Sequence, residues 1–463
     1  MAFSSLVFLY GFLPLTLVLY RVCPASRRQG LLLVISLAFY LWNGLLSFAV
    51  LLSVILYTYL LGLLCGRLKA GQARIVFFAG VSLLLLLLGL FKYGGALSAR
   101  LGGRMTLALP IGLSFYLFRA YSYLFDVYCG GYPAETHPVR LALYLSRFTE
   151  VLSGPIVLYR DENAVTCAVA EPLQIAGGLV RFLLGLAKKV LLAASFSETW
   201  RYAYTAAAEE RSVLTALLGL SAYAFRIYFD FSGYSDMAIG IGQCLGITLP
   251  ENFRYPYTAT SVTDFWRRWH VSLSHFFRTY VYIPLGGNRR GRARTCLNLL
   301  IVFCMTGLWH GSEVNFLLWG LYHALLLVLE KTLLRTALCR LPSALRRAYT
   351  ISAVFLGWLI FAFDQSGVGL SYKDGIAYLR SLLPWRSPWL IPADLYELRC
   401  TVLLFFVGIL ASTPYPRRLA QGCLRRFPRA SVLLLAVILP LLLLVSTAYL
   451  LGMGYQPFLY FKF

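Results

Sequence analysis

Acidic side chains are scarce in this sequence. Only 19 Asp and Glu occur in 463 residues, and charged residues of all kinds make up 13%, where an average soluble domain carries about 25%. With 59% of residues hydrophobic, that scarcity excludes a water-soluble enzyme. Aromatics at 16% exclude a disordered or collagenous chain. No C-x-x-C occurs among the ten cysteines, and most of them sit in or beside apolar runs, so they read as small buried hydrophobes. H-E-x-x-H and the G-x-S-x-G elbow of serine hydrolases are also missing. Gly240-Ile-Gly-Gln-Cys-Leu-Gly246 has the wrong spacing for a dinucleotide loop, and its glycines read as helix-packing positions.

Long apolar runs fill most of the chain, and a spanning helix needs about 20 such residues. The runs are Phe3–Tyr20, Leu31–Leu64 (a hairpin bent near Asn43-Gly44), Ile75–Phe91, Leu107–Val127, Leu173–Ala194, Val213–Tyr228, Cys296–Leu334 (a second hairpin), Tyr349–Phe363, Thr401–Ser412 and Ser431–Leu451. They predict an all-α polytopic membrane protein of about ten to twelve helices, with 1–463 as one membrane-embedded domain.

The basic residues outnumber the acidic ones by 23. They gather in short gaps, Arg21–Arg28, Arg67–Arg74, Arg289–Arg294, Lys331–Arg347 and Arg417–Arg429, which mark cytoplasmic loops and not a nucleic-acid site. In that topology the N-terminus lies outside and the first span is retained, since no charged n-region or small-residue cleavage site is present. Residues 366–400, with Pro384, Pro388 and Pro392, lie outside as a lid, a docking surface or a plain connection. Between 141 and 295 the hydropathy pattern breaks down. Polar backbone at membrane depth persists only when buried in protein or lining a cavity, so the working site is expected around this region.

Five histidines occur: His137, His270, His275, His310 and His323. His137 and His275 lie in polar surroundings and read as interfacial. Zinc is not supported, because His270 and His275 would point about 140° apart on a helix. Thr306-Gly-Leu-Trp-His-Gly311 sets His310 after an apolar run, beside Trp309 and a glycine that would let a substrate approach. A neutral imidazole there can accept a proton from a hydroxyl. His323 would lie about 220° further round an unbroken helix. Upstream, Thr263-Asp-Phe-Trp-Arg-Arg-Trp-His-Val-Ser-Leu-Ser274 gathers Asp264, Arg267, Arg268 and His270, a composition that suits an interfacial helix. Gly286-Gly287-Asn288-Arg289 reads either as a backbone nest with a cationic rim for phosphate or as a simple basic turn. Arg226 and Asp230 are spaced to pair on one helix face, and Lys188 and Lys189 read as snorkelling or end-marking residues.

Three blocks carry a family resemblance: Phe265-Trp-Arg-Arg-Trp-His270-Val-Ser-Leu-Ser, Gly307-Leu-Trp-His310-Gly, and Tyr228-Phe-Asp-Phe-Ser-Gly-Tyr-Ser-Asp-Met-Ala-Ile-Gly. They resemble the signature of the membrane-bound O-acyltransferase family. Ser153-Gly-Pro-Ile-Val, Ile283-Pro-Leu-Gly-Gly-Asn-Arg289, Trp319-Gly-Leu-Tyr-His323 and the ending Pro457-Phe-Leu-Tyr-Phe-Lys-Phe463 are similar to its AlgI-like bacterial polysaccharide O-acetyltransferase branch. Glu150 stands where that branch more often carries an uncharged residue.

The resemblance implies about eleven membrane helices around a central tunnel, with His310 as the catalytic histidine and His270 as the second active-site position. Trp309, Asp264, Arg267, Asn288, Arg289, Ser232, Asp236 and His323 are candidate substrate or donor contacts; for Ser232 and Asp236 the competing reading is support of the tunnel wall. No bound cofactor or metal is implied. The acyl donor would be acetyl-CoA or another acyl thioester, and the acceptor a hydroxyl of an extracytoplasmic polysaccharide or of a secreted or periplasmic SGNH-type acetyltransferase partner. The setting would be membrane lipid of the bacterial cytoplasmic (inner) membrane, with no nucleic acid involved. D-alanyl transfer to teichoic acid, as in DltB, is the alternative within the family. A polysaccharide-precursor transporter or flippase and a non-enzymatic subunit are the alternatives outside it.

Overall fold

A computed structural model describes residues 1–103, 107–162, 170–207, 210–362 and 371–453. All regular structure among them is helical. A π-turn at Phe8–Phe12 leads into α1 (Leu13–Val22), followed by α2 (Arg28–Leu41) and α3 (Leu45–Arg67), which fold back on each other at Gly44 with φ +104°. This is the expected bend. Next come α4 (Ala70–Arg100), α5 (Leu113–Tyr128), α6 (Pro138–Ser146) and α7 (Tyr159–Glu162). α8 (Pro172–Ala187) continues through a π-turn at Lys188–Ala193 into α9 (Ala194–Thr205), and α10 (Val213–Cys244) follows. Two short helices, α11 (Val262–Arg268) and α12 (Val271–Phe277), precede the pair α13 (Gly291–His310) and α14 (Val314–Thr332). The chain then forms α15 (Arg335–Arg340), α16 (Ser343–Ala362), α17 (Tyr372–Ser381), α18 (Pro392–Ala411), α19 (Tyr415–Arg426) and α20 (Pro428–Met453).

Six of these, α3, α4, α10, α14, α16 and α20, are long and apolar enough to cross a membrane, and α18 with α19, bent by 69°, makes a seventh. The others fall short by length or polarity. α13, for example, begins with Arg292 and Arg294 and carries a buried Asn298. The run expected to end at Phe91 continues to Arg100, and the one expected to end at Tyr228 continues to Cys244. Helical pairing satisfies the backbone internally, so a polar side chain does not have to end a helix that is packed in protein.

α10 is the most buried candidate span and the pillar of the fold. It meets α8 backbone to backbone: a Cβ on Gly233 would fall 2.6 Å from the Gly185 carbonyl oxygen, and one on Gly240 would fall 2.5 Å from that of Gly178. Gly240 is a helix-packing residue, as its spacing suggested, and Gly233, which the spacing did not single out, is another. Across the same contact Arg181 and Lys188 hold Asp236, at 2.8 and 2.7 Å, and Lys189 pairs with Asp230. This changes two expectations. Asp230 finds its ion pair on the neighbouring helix, not simply four residues back at Arg226, and the two lysines are paired rather than snorkelling.

Residues 147–158 form a buried, non-helical segment. Its polar groups are met by side chains from elsewhere: Ser36 Oγ accepts from Phe148 N at 3.2 Å and Ser272 Oγ from Ile156 N at 3.0 Å, and just beyond the segment Ser122 Oγ accepts from Tyr159 N of α7 at 2.8 Å. Such satisfaction is what irregular backbone requires at membrane depth. Four charges anchor the segment. Glu150 bridges Arg119 (3.0 Å) and Arg147 (2.7 Å), and Arg147 also forks onto Glu162 (2.8 Å).

The 366–400 region is more ordered than a plain connection, although 363–370 lie outside the described residues. It contains α17 and the first turns of α18. Pro388 and Trp389 carbonyls accept from Val213 N and Leu214 N at 2.9 and 3.3 Å, and Asp394 accepts from Ser212 and Thr215, so the segment closes the N-terminal end of α10.

Candidate active site

The site begins with the α13–α14 hairpin. Gly307 leaves no room for a Cβ against the Phe316 carbonyl, nor Gly320 against that of Phe303, so the two helices touch along their backbones. His310 is the last residue of α13 and is buried. Its ring sits among aromatics: Trp309 at 4.6 Å between centroids, Trp319 and Phe361 each at 5.1 Å and nearly perpendicular. Gly311, expected to open the way for substrate, is in fact covered by the Phe316 ring, where a Cβ would clash.

A helix C-terminus exposes unpaired carbonyls and favours positive charge. Here α4 supplies it. Lys92 Nζ donates to the Trp309 carbonyl and stands 5.5 Å from the centre of the Trp309 ring. Tyr93 donates to the Leu308 carbonyl and, at 3.4 Å, to that of Gly311. Neither residue was expected. The sequence signal was a lysine directly after an apolar run, which reads as a span end when the helix is assumed to stop at Phe91.

His270 joins α11 to α12 with a left-handed backbone, φ +44°. Such a conformation is costly for a non-glycine residue but tolerated best by Asn, Asp and His, and it clusters at functional sites. Asn252 holds the turn: its carbonyl accepts from Val271 N at 3.0 Å and its side-chain oxygen from Ser272 Oγ at 2.9 Å. Glu330 of α14 caps the start of α11, accepting from Val262 N and Thr263 N at 2.6 and 2.8 Å. The result is a buried His270 ring 4.6 Å from Phe231 and 6.2 Å from Trp309. Trp309 thus contacts both His270 and His310.

A cavity of about 280 Å³ reaches His270 and is lined also by Trp266, Thr306 and Asn288. Arg267, Arg278 and Lys331, from three separate elements, contribute positive charge to its lining, and among the described residues no carboxylate belongs to that lining. The walls suit an apolar chain and the rim a phosphate. Arg289 is not among the residues lining this cavity. Three N–H groups of the Gly286–Arg289 turn are used locally, Gly286 N on Ile283 O at 2.9 Å, Gly287 N on Tyr282 O at 2.9 Å and Arg289 N on Gly286 O at 3.1 Å. The cationic rim therefore comes from Arg267, Arg278 and Lys331.

The remaining candidates have partners of their own or line another cavity. Asp264 pairs with Arg268 at 3.0 Å within α11 and accepts from Thr260 N. His323 is fully buried, its Nδ1 accepting from Trp266 Nε1 at 3.4 Å while Gly357 closes on its Nε2. The helix is broken at residues 311–313, so His323 comes back beside Trp266 and not to the far side of α13. Ser232 and Asp236 line a different, polar cavity of about 270 Å³ with Arg254 and Arg417. His275 is exposed and lies 3.6 Å from Asp161, and His137 stands directly before α6.

Residues 111–371 match the membrane-bound O-acyltransferase family. Over its full length the chain is 34% identical to the full length of a probable alginate O-acetylase AlgI of Pseudomonas putida. A peptidoglycan O-acetyltransferase of Helicobacter pylori is 31% identical, the alignment covering 82% of this chain and 80% of that protein. A teichoic acid D-alanyltransferase of Bacillus subtilis is 28% identical over 47% of this chain and 58% of its own.

Proposed function

The chain belongs to the membrane-bound O-acyltransferase family and is an O-acyltransferase of the membrane, and from that premise we propose that His310 and His270 move an acetyl group from a cytoplasmic thioester to a hydroxyl presented on the other side. The observation that carries this reading is Trp309 touching both imidazoles, with the cationic cavity arriving at His270. α13 rises from the basic turn at 289–294, and its 20 residues cover about 30 Å. His310 then lies at the opposite end of that helix from Arg292 and Arg294.

In the reaction, His310 accepts the proton of the acceptor hydroxyl as its oxygen attacks the thioester carbonyl. His270 orients the donor or donates a hydrogen bond to the oxyanion that forms. Collapse of the tetrahedral intermediate expels the thiolate, which takes the proton from the His310 imidazolium. A thioester is activated enough that a positioned base suffices without a protein nucleophile. Acetyl-CoA or another phosphate-bearing acyl thioester fits the rim made by Arg267, Arg278 and Lys331. The acceptor is a polysaccharide hydroxyl, reached directly or through a secreted SGNH-type acetyltransferase, and the protein works in the bacterial inner membrane. Acetyl transfer is favoured over D-alanyl transfer because the O-acetylating relatives align over most of the chain and the D-alanyltransferases over about half of it.

The test is acyl transfer or donor hydrolysis by purified protein, which a transporter would lack. His310→Ala should lower the rate by about 10² to 10⁴-fold with expression unchanged. A rate within about twofold of the unmodified protein removes His310 from the mechanism. Sidedness is read from single cysteines at Asn288 and at the exposed Trp385: labelling from the same face defeats transfer across the membrane.

A further inference from the structure

A second cavity, of about 530 Å³, opens between α1, α8 and the end of α10, and none of the histidines lines it. Its walls are apolar, with Leu17 and Val18 from α1 and Ile175 and Leu179 from α8. Val18 and Leu179 also belong to the exposed apolar surface, so the cavity opens sideways toward lipid. One end is different. Arg21 and Arg28 line it, and no acidic side chain does among the described residues. Arg21 Nη1 donates to the Ala170 carbonyl at 3.3 Å. Arg28 is only 7% exposed; its Nε donates to the Cys23 carbonyl at 3.2 Å and its guanidinium faces the Tyr20 ring at 5.5 Å. Arg28 Nη1 has no hydrogen-bond partner among the described residues.

A buried guanidinium with a vacant donor is a costly arrangement unless an anion completes it. The basic 21–28 loop stands at the cytoplasmic leaflet by the distribution of Lys and Arg, where anionic lipids concentrate. We propose that this cavity binds an anionic phospholipid, its phosphate held by Arg21 and Arg28 and an acyl chain laid along Leu17, Val18, Ile175 and Leu179. Planar, multi-donor guanidinium groups match a phosphate diester, and the volume is that of an ordinary ligand site. A free phosphate would engage the arginines but leave the apolar walls empty. The inference is independent of the acyl-transfer reading, because its readout is lipid occupancy.

The experiment is native mass spectrometry of the purified, delipidated full chain exposed to phosphatidylglycerol, to phosphatidylcholine or to inorganic phosphate, with the thermal midpoint measured in parallel. Phosphatidylglycerol should be retained roughly tenfold better than phosphatidylcholine, whose phosphodiester is the same but whose choline cation is repelled by the two guanidinium groups. Arg21→Gln with Arg28→Gln should abolish the preference. Ala176→Trp, which fills the apolar part of the cavity and leaves both arginines in place, should lower retention of phosphatidylglycerol; with Arg21→Gln alone it keeps the test informative if Arg28→Gln does not fold. Equal retention of the two lipids, or unchanged retention in Arg21→Gln and Ala176→Trp, overturns the proposal. A thermal shift by inorganic phosphate as large as that by phosphatidylglycerol also overturns it, assigning the arginines to a free anion.

Discussion

Glu150→Gln tests whether the buried charges behind the site are as coupled as their geometry implies. Arg119, Arg147, Glu150 and Glu162 carry two positive and two negative charges, a neutral set. Glu150 accepts four hydrogen bonds, from Arg119 Nη1 at 3.0 Å, Arg147 Nε at 2.7 Å, Arg147 Nη2 at 2.9 Å and Thr149 Oγ1 at 2.8 Å. Both arginines and Glu150 have side chains only 1% exposed, so water cannot replace a lost partner. An amide removes one charge and turns one acceptor into a donor that faces guanidinium N–H groups. Breaking a buried pair by removing one partner costs about 3 to 5 kcal/mol, and roughly 2 to 4 °C of melting midpoint is lost per kcal/mol in a domain of 150–250 residues. For this larger chain, a drop of about 5 to 15 °C follows. Glu162→Gln should be milder, because the Glu162 side chain is 21% exposed and Arg147 keeps Glu150. The assay is a thermal unfolding curve of detergent-purified protein, with the transfer rate per folded molecule measured beside it. A Glu150→Gln midpoint within about 1 °C of the parent, well below the shift estimated above, would refute the reasoning, as would Glu162→Gln proving the more damaging of the two.

His270→Asn should lose less activity than His270→Ala, since Asn keeps a hydrogen-bonding side chain and tolerates the left-handed backbone; equal rates would argue against a hydrogen-bonding role. Lys92→Met should slow transfer by about 10 to 100-fold, the equivalent of the 1.5 to 3 kcal/mol of a hydrogen bond to a charged group, with Lys92→Arg retaining part of the rate; unchanged turnover in Lys92→Met would leave Lys92 outside the site. Gly307→Ala forces a Cβ against the Phe316 carbonyl and should cost about 1 to 3 kcal/mol of stability, seen as a lower melting midpoint together with reduced transfer, whereas a neutral outcome would mean that the α13–α14 contact can relax.

Local pattern determined a good deal of this protein. Apolar run length called for two hairpins and put the first bend near Gly44, because helix length and turn residues are properties of neighbouring positions, whereas the break of Cys296–Leu334 at residues 311–313 came from the structure. The glycines of α10 announced close packing, although not that α8 was the partner. The Trp309-His310 and His270 blocks were legible because each occupies one short stretch of the chain. Tertiary structure decided the rest. Lys92 reaches Trp309 across 217 positions, and Glu330 caps α11 from 68 positions away. No periodicity encodes such meetings. Periodicity says which face a charge occupies but not what faces it, so Asp230 looked as if it belonged to Arg226 and found Lys189 across the helix contact. The Gly286–Arg289 turn carried the composition of an anion nest, yet the N–H groups of Gly286, Gly287 and Arg289 close on local carbonyls. Whether a backbone donor is free depends on the conformation adopted, and the cationic rim was instead assembled from Arg267, Arg278 and Lys331, which only the packing of three elements brings to one cavity.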